Sequence, residues 1–404
     1  MKLKEIKLGD VLDVKRGTSL SGKYYDTTGT KIRLTLGNFN YPLGGFKNNT
    51  SKLDIYFNGP VKEKFILKKG DVITPLTEQV RGLLGETARI PDNDVYIQSG
   101  DIGLLIPNEN KLDKSYMYHL ISSDMIKNQL SKGAQQTKIR HTSPEKIKDC
   151  VAWIPDLNTQ KQIGKFLDNI DSKIANNNAI SKELESMAKT IYDYWFLQFE
   201  FPDKDGKPYK SNGGKIVWND QLKQEIPEGW EVRKLKDIIV ENPKSKIKVK
   251  EAQQDHFGDI PFFTSGQSIL SMDEKLVTGM NCYLNTGGNA DVKYFYGPAS
   301  YSTDTWSIKG KVFMEYLLPF ILKNLQPSMD DKFFQGTGLR HLQKPLLKDY
   351  PILVPNEEII SKFIPLVSDV FRKVSDSYRE NIELEKMRNF LLPMLMNGQV
   401  TIKD

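Results

Sequence analysis

The apolar positions of this chain form two long helical stripes that superpose when one is shifted by 200 residues. Ile163, Leu167, Ile170, Ile174, Leu184 and Ile191 match Phe363, Val367, Val370, Val374, Leu384 and Leu391. The steps alternate between four and three, which is the seam of a coiled coil. Both stripes turn polar at the same places, Asn177 and Ser181 in the first and Ser377 and Asn381 in the second. Buried polar seam residues lower stability but fix register and partner, so the pattern predicts that the two helices pair with each other. They are expected over 158–198 and 356–397, each about 60 Å long at a rise of 1.5 Å per residue. An antiparallel pair would hold two modules at opposite ends of a rod; a parallel pair would set them side by side.

Ahead of each stripe the pattern changes to short β-branched runs punctuated by glycine, such as Asp71-Val72-Ile73-Thr74 and Val95-Tyr96-Ile97. These predict a curved sheet with many turns. An amphipathic helix is expected over Tyr116 to Ser131, and Thr142-Ser143-Pro144-Glu145 opens a short one with proline in its first turn. Lys7-Leu8-Gly9-Asp10 returns as Lys234-Leu235-Lys236-Asp237 at an offset of 227, so the second module is 27 residues shorter than the first. The expected fold is α+β: two mixed α/β domains separated by two long helices that form an antiparallel intramolecular coiled coil, a pseudo-two-fold repeat. The domains are 1–156 and 230–355, the helices 157–199 and 356–404, and the Pro- and Gly-containing stretch 200–229 is read as the linker.

At 404 residues the chain can bury more than one core. Cys150 and Cys282 are too few for a disulfide framework and lack metal-ligand spacing, which points to a reducing cytoplasm. The start Met-Lys-Leu-Lys-Glu has no apolar signal segment. The longest apolar run, Phe313 to Leu322, is broken by Glu315 and Pro319 and is too short for a bilayer, so a cytoplasmic protein with no membrane partner is expected. The net charge is +6, and residues 1–150 carry 24 Lys and Arg against 17 Asp and Glu. Excess positive charge within a globular module favours an acidic partner such as nucleic acid.

Catalytic motifs are missing: there is no Walker loop, no strand-linked G-x-G-x-x-G, no H-E-x-x-H and no nucleophile elbow. The candidate chemistry is nucleic-acid contact. Gln135, Gln136, Lys138, Arg140 and His141 gather amide, guanidinium and imidazole groups where the first module ends, and Gln335, Thr337, Arg340 and His341 repeat them in the second. Such groups suit phosphates and base edges; each alone also suits a polar turn. Lys244, Lys246, Lys248 and Lys250 alternate with Ser245, Ile247 and Val249, which predicts a strand with its ammonium groups on one face. That face would either meet phosphates or guard a sheet edge. Arg81, and Asn289 with Lys293, sit by glycine loops where backbone can approach a ligand. Tyr192, Tyr194, Trp195 and Phe196 are assigned to core or interface.

Several segments carry a resemblance along the whole chain: Ile154-Pro155 through Gln160 and Ile163, Ile191-Tyr192-Asp193-Tyr194-Trp195-Phe196, Phe201 to Tyr209 with Gly213-Gly214-Lys215, Ile226-Pro227-Glu228-Gly229-Trp230, and Leu391-Leu392-Pro393-Met394-Leu395-Met396-Asn397-Gly398. They resemble the specificity subunit of type I restriction-modification systems. The glycine-threonine turn of that family stands as Gly17-Thr18-Ser19 in the first module and is replaced around Asn242-Pro243-Lys244 in the second. The resemblance implies a non-catalytic subunit in which each module reads one half of a bipartite double-stranded DNA target and the helices set the spacing. It implies two methyltransferase subunits that methylate adenine N6 with S-adenosylmethionine, and two restriction/translocase subunits. S-adenosylmethionine, ATP and magnesium would belong to those partners, with no cofactor on this chain. A coiled-coil assembly scaffold that never reads DNA is the alternative.

Overall fold

The computed structural model describes residues 2–41, 44–78, 80–133, 140–254, 258–266 and 268–402. It divides into two units, Met1–Ser172 with Met387–Asp404, and Lys173–Lys386.

In the first unit, the opening strand Lys4–Lys7 pairs antiparallel with Val151–Ile154, the last strand before the long helix. Leu12–Arg16, Ile102–Pro107, Val72–Pro75 and Ala88–Arg89 form a four-stranded sheet in that order. A second sheet, Tyr25–Asp26, Tyr56–Phe57, Ile32–Arg33 and Tyr96–Ile97, closes with a parallel pair. The glycine-punctuated runs form these strands because each is too short to continue past its turn. The helix expected over 116–131 is two, Lys114–Ile121 and Asp124–Gly133. Ser122 and Ser123 separate them: the Ser123 hydroxyl donates to Leu120 O at 2.6 Å and Ser122 Oγ to His119 O at 3.1 Å. Serine hydroxyls that take backbone carbonyls compete with the helical ladder. The short helix Pro144–Lys148 forms as expected, with the Ser143 side chain accepting from Lys146 N.

The second unit repeats this plan. Glu231–Lys234 pairs with Pro351–Val354, and the sheet runs Ile239–Glu241, Thr305–Gly310, Met280–Asn285, Val292–Tyr296. The smaller sheet, Ile269–Met272, Ile260–Phe263 and Ser300–Tyr301, again closes with a parallel pair. The stretch 200–229, read as the linker, has structure of its own. It carries the hairpin Ile216–Asn219 with Gln224–Pro227, and Phe201 stacks between Tyr209 and Trp230 with centroids 4.5 and 5.2 Å away. Trp195, Phe196 and Tyr192 are buried against Phe363, which places them in the core, whereas Tyr194 is exposed.

The long helices are Leu157–Tyr192, followed by a π-helical turn at Asp193–Leu197, and Glu357–Met396. In the second unit they run antiparallel: Asn177 meets Asn381, and Tyr192 meets Phe363. In the first unit Asp171 accepts from Arg388 at 2.8 Å, and Ile163 and Leu167 share a cluster with Leu395 and Met396. Ile163, Leu167, Ile170, Phe363, Val367 and Val374 are buried; Ile174, Leu184, Ile191, Val370, Leu384 and Leu391 are half-buried. Among the described residues no helix is long and apolar enough to cross a membrane.

Two polar features hold these helices. Asn177 Nδ2 donates to Asn381 Oδ1 at 2.9 Å and to Glu380 Oε2 at 2.8 Å, and Asn381 Nδ2 donates to Asn178 Oδ1 at 2.9 Å. In the first unit Asp168 receives Arg89 at 2.7 Å, Ser115 at 2.6 Å and the buried His119 at 2.9 Å, joining module to helix. Burial alone would raise the Asp168 pKa, but hydrogen bonds from His119, Arg89 and Ser115 and the Arg89 charge outweigh it and hold it down at about 2.

Asn381→Leu should strand the Asn177 amide and lower the urea-unfolding free energy by about 1–3 kcal/mol, whereas Asn177→Leu/Asn381→Leu should recover most of that loss. A double-variant loss equal to the sum of the Asn177→Leu and Asn381→Leu losses would show that the pair is not coupled. Because its folded pKa lies below the unfolded value, Asp168 contributes stability that is present above pH 4 and is lost as pH falls toward 2. The contribution is about 2 kcal/mol. Hydrogen exchange at 114–121 should therefore separate Asp168→Asn from wild type most at pH 5 and least near pH 2.

Candidate nucleic-acid interface

The Arg-His pair of each module lies against a glycine loop, on the strand leading into it in the first module and, in the second, by a single bridge from His341, which itself pairs with Gln335. In the first module Arg140 and His141 pair antiparallel with Glu78 and Thr77. Arg140 Nη1 donates to Glu78 Oε1 at 2.8 Å, and Nη2 donates to Ser131 O at 2.8 Å, at the end of the preceding helix. Glu78 is 2% exposed, and its second oxygen accepts from Gly82 N and Leu84 N, both at 3.1 Å. One carboxylate thus fixes the arginine and the loop together. Gly82 needs its φ of +99°, and a Cβ there would come within 2.4 Å of the Tyr41 hydroxyl. The loop presents Arg81 to solvent, with Tyr41 OH donating to Arg81 O at 2.9 Å. His141 is exposed, its Nδ1 lies 3.2 Å from Thr77 Oγ1, and that hydroxyl donates to Asp101 at 2.9 Å.

The second module keeps the geometry and changes the chemistry. His341 bridges Gly287, and Gly288 N donates to Arg340 O at 2.9 Å. Arg340 Nη2 donates to Asn289 Oδ1 at 3.2 Å and to Asp330 Oδ1 at 3.3 Å. No buried carboxylate faces this arginine among the described residues; its side chain is 37% exposed and Asp330 34%. Thr337 lies on an exposed loop with Gly336, Gly338 and Leu339. Two groups result: Arg81, Arg140 and His141 in the first module, and Asn289, Arg340 and His341 in the second.

The other candidates stand elsewhere. Lys293 is turned inward, with its ammonium 2.7 Å from Asp291 and donating to Gly266 O at 2.6 Å. The strand expected over 244–250 does not form. Lys244, Lys246 and Lys248 are exposed and Ser245 and Ile247 buried, so the alternation holds, but on extended chain tied by Thr303 N donating to Ile247 O at 2.9 Å. At Val249 the chain enters the helix Val249–Gln254, which ends the alternation and takes in Lys250. Lys244 lies in a basic patch with Lys344 and Lys348. Burial lowers the Lys344 pKa, Glu241 opposes that, and the charges of Lys244 and Lys348 add to it. Gln135, Gln136 and Lys138 lie outside the described residues. Sequence reasoning passed over Arg33, Lys47 and Lys52, which line a cleft of about 930 Å³ in the first module; the Gly17-Thr18-Ser19 turn at its edge was the available signal.

The chain belongs to the family described as the type I restriction modification DNA specificity domain, whose model matches residues 2–186 and 227–385, one copy on each repeat. It is 24% identical over 326 residues to the type I restriction enzyme MjaIX specificity subunit of Methanocaldococcus jannaschii, covering 74% of this chain and 72% of that one. It is also 24% identical over 422 residues to the HindI specificity subunit of Haemophilus influenzae, covering 84% and 89%. The crystal structure of a type I restriction-modification S subunit from M. genitalium shares the fold, with a TM-score of 0.59 at 14% identity over 98% of this chain and 96% of that one.

The two arginines should respond unequally to removal. Arg140→Met should strand the buried Glu78 carboxylate and lower stability by about 3 kcal/mol, with faster hydrogen exchange at Gly82 and Leu84. Arg340→Met, at a half-exposed ion pair, should lower it by about 1 kcal/mol or less. Equal losses in urea unfolding would contradict the assignment of Glu78 as the arginine's buried partner.

Proposed function

We propose that this chain is the sequence-reading, non-catalytic subunit of a type I restriction-modification complex. The modules over 1–156 and 230–355 would each read one half of a bipartite double-stranded DNA target. The carrying observation is that an Arg-His pair lies against a glycine loop once per module, each time followed by a short helix, the closing strand and a long helix that pairs with its counterpart. Two readers on a fixed spacer read two half-sites at a fixed interval, and DNA offers the same face about every 34 Å. The exposed groups, Arg81, His141, Lys244, Lys246, Lys248, Thr337 and His341, supply donors for phosphates and base edges. Arg140 and Arg340 act one step back by holding the loops in place. Methyl transfer, DNA cleavage and their S-adenosylmethionine, ATP and magnesium would reside on two methyltransferase and two restriction/translocase partners, in the cytoplasm.

Co-expression with the methyltransferase subunit of the same system, followed by genome-wide mapping of N6-methyladenine, should reveal one bipartite motif with a constant gap. A stable, catalytically competent complex that adds no methylation at a defined motif would favour the scaffold reading instead.

A further inference from the structure

The backbone ladder allows the two modules to be compared position by position. In the first, Ser99 O accepts from Ile102 N at 3.0 Å; in the second, Ser302 O accepts from Thr305 N at 3.1 Å. Counting two residues back from each serine matches Ile97 with Ser300, and their parallel partners are Arg33 and Phe262. One register position therefore holds a guanidinium in the first module and a phenyl ring in the second.

Each residue is fitted to its place. Phe262 is fully buried with Met272 and Ile247, so the lysine-bearing segment is anchored across it through Ile247. Arg33 is also buried, with a side chain 7% exposed. Its guanidinium lies 3.8 Å from the Tyr25 ring centroid, Nε and Nη2 donate to Asp54 O at 3.1 and 2.9 Å, and Nη2 donates to Asp54 Oδ1 at 3.2 Å. Among the described residues Nη1 makes no hydrogen bond. Arg33 lines the cleft, whose wall Gly17 forms by close approach: a Cβ there would meet Ser99 O at 2.2 Å. Exposed Arg16, Lys47 and Lys52 also line it, against a single carboxylate, Asp101, which already accepts from Thr77. Asn49 and Thr35 join at 2.9 Å and give its wall a fixed polar surface. A planar guanidinium held at two of its three nitrogens presents its remaining donors in one direction, which suits an acceptor edge such as guanine O6 and N7. Mobile lysines at an open mouth suit phosphates.

We propose that the first module takes its DNA half-site at this cleft, with Lys47 and Lys52 on phosphates and Arg33 donating to a guanine edge. The second module, filled at the matching position by Phe262 and Ile247, presents Lys244, Lys246 and Lys248 on its surface instead. This deepens the DNA-reading assignment and rests on it.

The test uses the full chain assembled with its methyltransferase subunits. Lys47→Ala/Lys52→Ala changes only exposed side chains, so folding is not at risk. It should weaken binding to the mapped target and reduce the slope of log affinity against log salt by about 2, at roughly 0.9 per phosphate contact, with the methylated motif unchanged. Arg33→Lys keeps the charge and loses the planar donor. It should relax the motif at one guanine of the first half-site by about 5-fold to 150-fold in preference, and leave the second half-site intact. With wild-type protein, 7-deazaguanine at that position should reproduce the loss without any variant. An unaltered salt slope in the lysine variant, or a first half-site indifferent to deazaguanine, overturns the cleft assignment. A wild-type complex that shows no sequence preference at all overturns the DNA-reading assignment itself, and the two failures are thereby separate.

Discussion

Each module is closed by pairing its first strand with its last, and the direction of the long helix depends on that ladder. Lys4 to Lys7 lie against Ile154 to Val151, and Glu231 to Lys234 against Val354 to Pro351. These strands come from opposite ends of a module, so the entropic cost of closing the ladder is offset by the contacts that form between them. The last strand leads through a proline into the helix, so whatever orients the ladder orients the helix start. In the first module Gln160 completes the joint. It is 1% exposed, accepts from Asp113 N at 3.0 Å and donates to Pro155 O at 2.9 Å. At the matching place in the second module stands Ile360, equally buried in an apolar cluster.

The long helices were legible from the sequence because their information is local. A three-four alternation survives whatever surrounds it, and the polar seam residues Asn177 and Asn381 pair as complementary amides should. What the stripe could not disclose is that its Phe363–Phe371 portion meets a domain as well as a helix: Phe320 touches both Phe363 and Phe371, while Phe363 also touches Tyr192, Trp195 and Phe196 at the end of the first long helix. A helix that faces a partner and a helix that faces a domain use the same spacing.

The candidate surface was legible only in part. Arg140 stood out because Arg340 repeats it, yet its role depends on Glu78, 62 positions earlier, and no spacing rule links the two. The lysine alternation was real and the strand predicted from it was not, because alternation reports which side chains are buried, whereas a strand also needs a neighbour along its length. Arg33 was signalled only indirectly, by the Gly17-Thr18-Ser19 turn at the edge of its cleft. Tyr25 and Asp54, which make it a fixed donor, lie on one neighbouring strand and just ahead of another, and its counterpart Phe262 reads as an ordinary apolar residue until the two ladders are aligned.

That alignment also explains how a repeated module can change what it reads without losing its fold. The ladder is built from backbone hydrogen bonds, which are indifferent to the side chain at each position. A swap such as Arg33 for Phe262, Glu78 for Gly288 or Gln160 for Ile360 therefore needs only local compensation. Arg33 has Asp54 and Tyr25; Phe262 has Met272 and Ile247. Buried charge left without such a partner would be expelled at a cost of several kcal/mol, so each polar reader must bring its own counter-group. The loops and cleft walls are consequently the variable layer. The closing ladder and the paired helices form the layer that the two modules share.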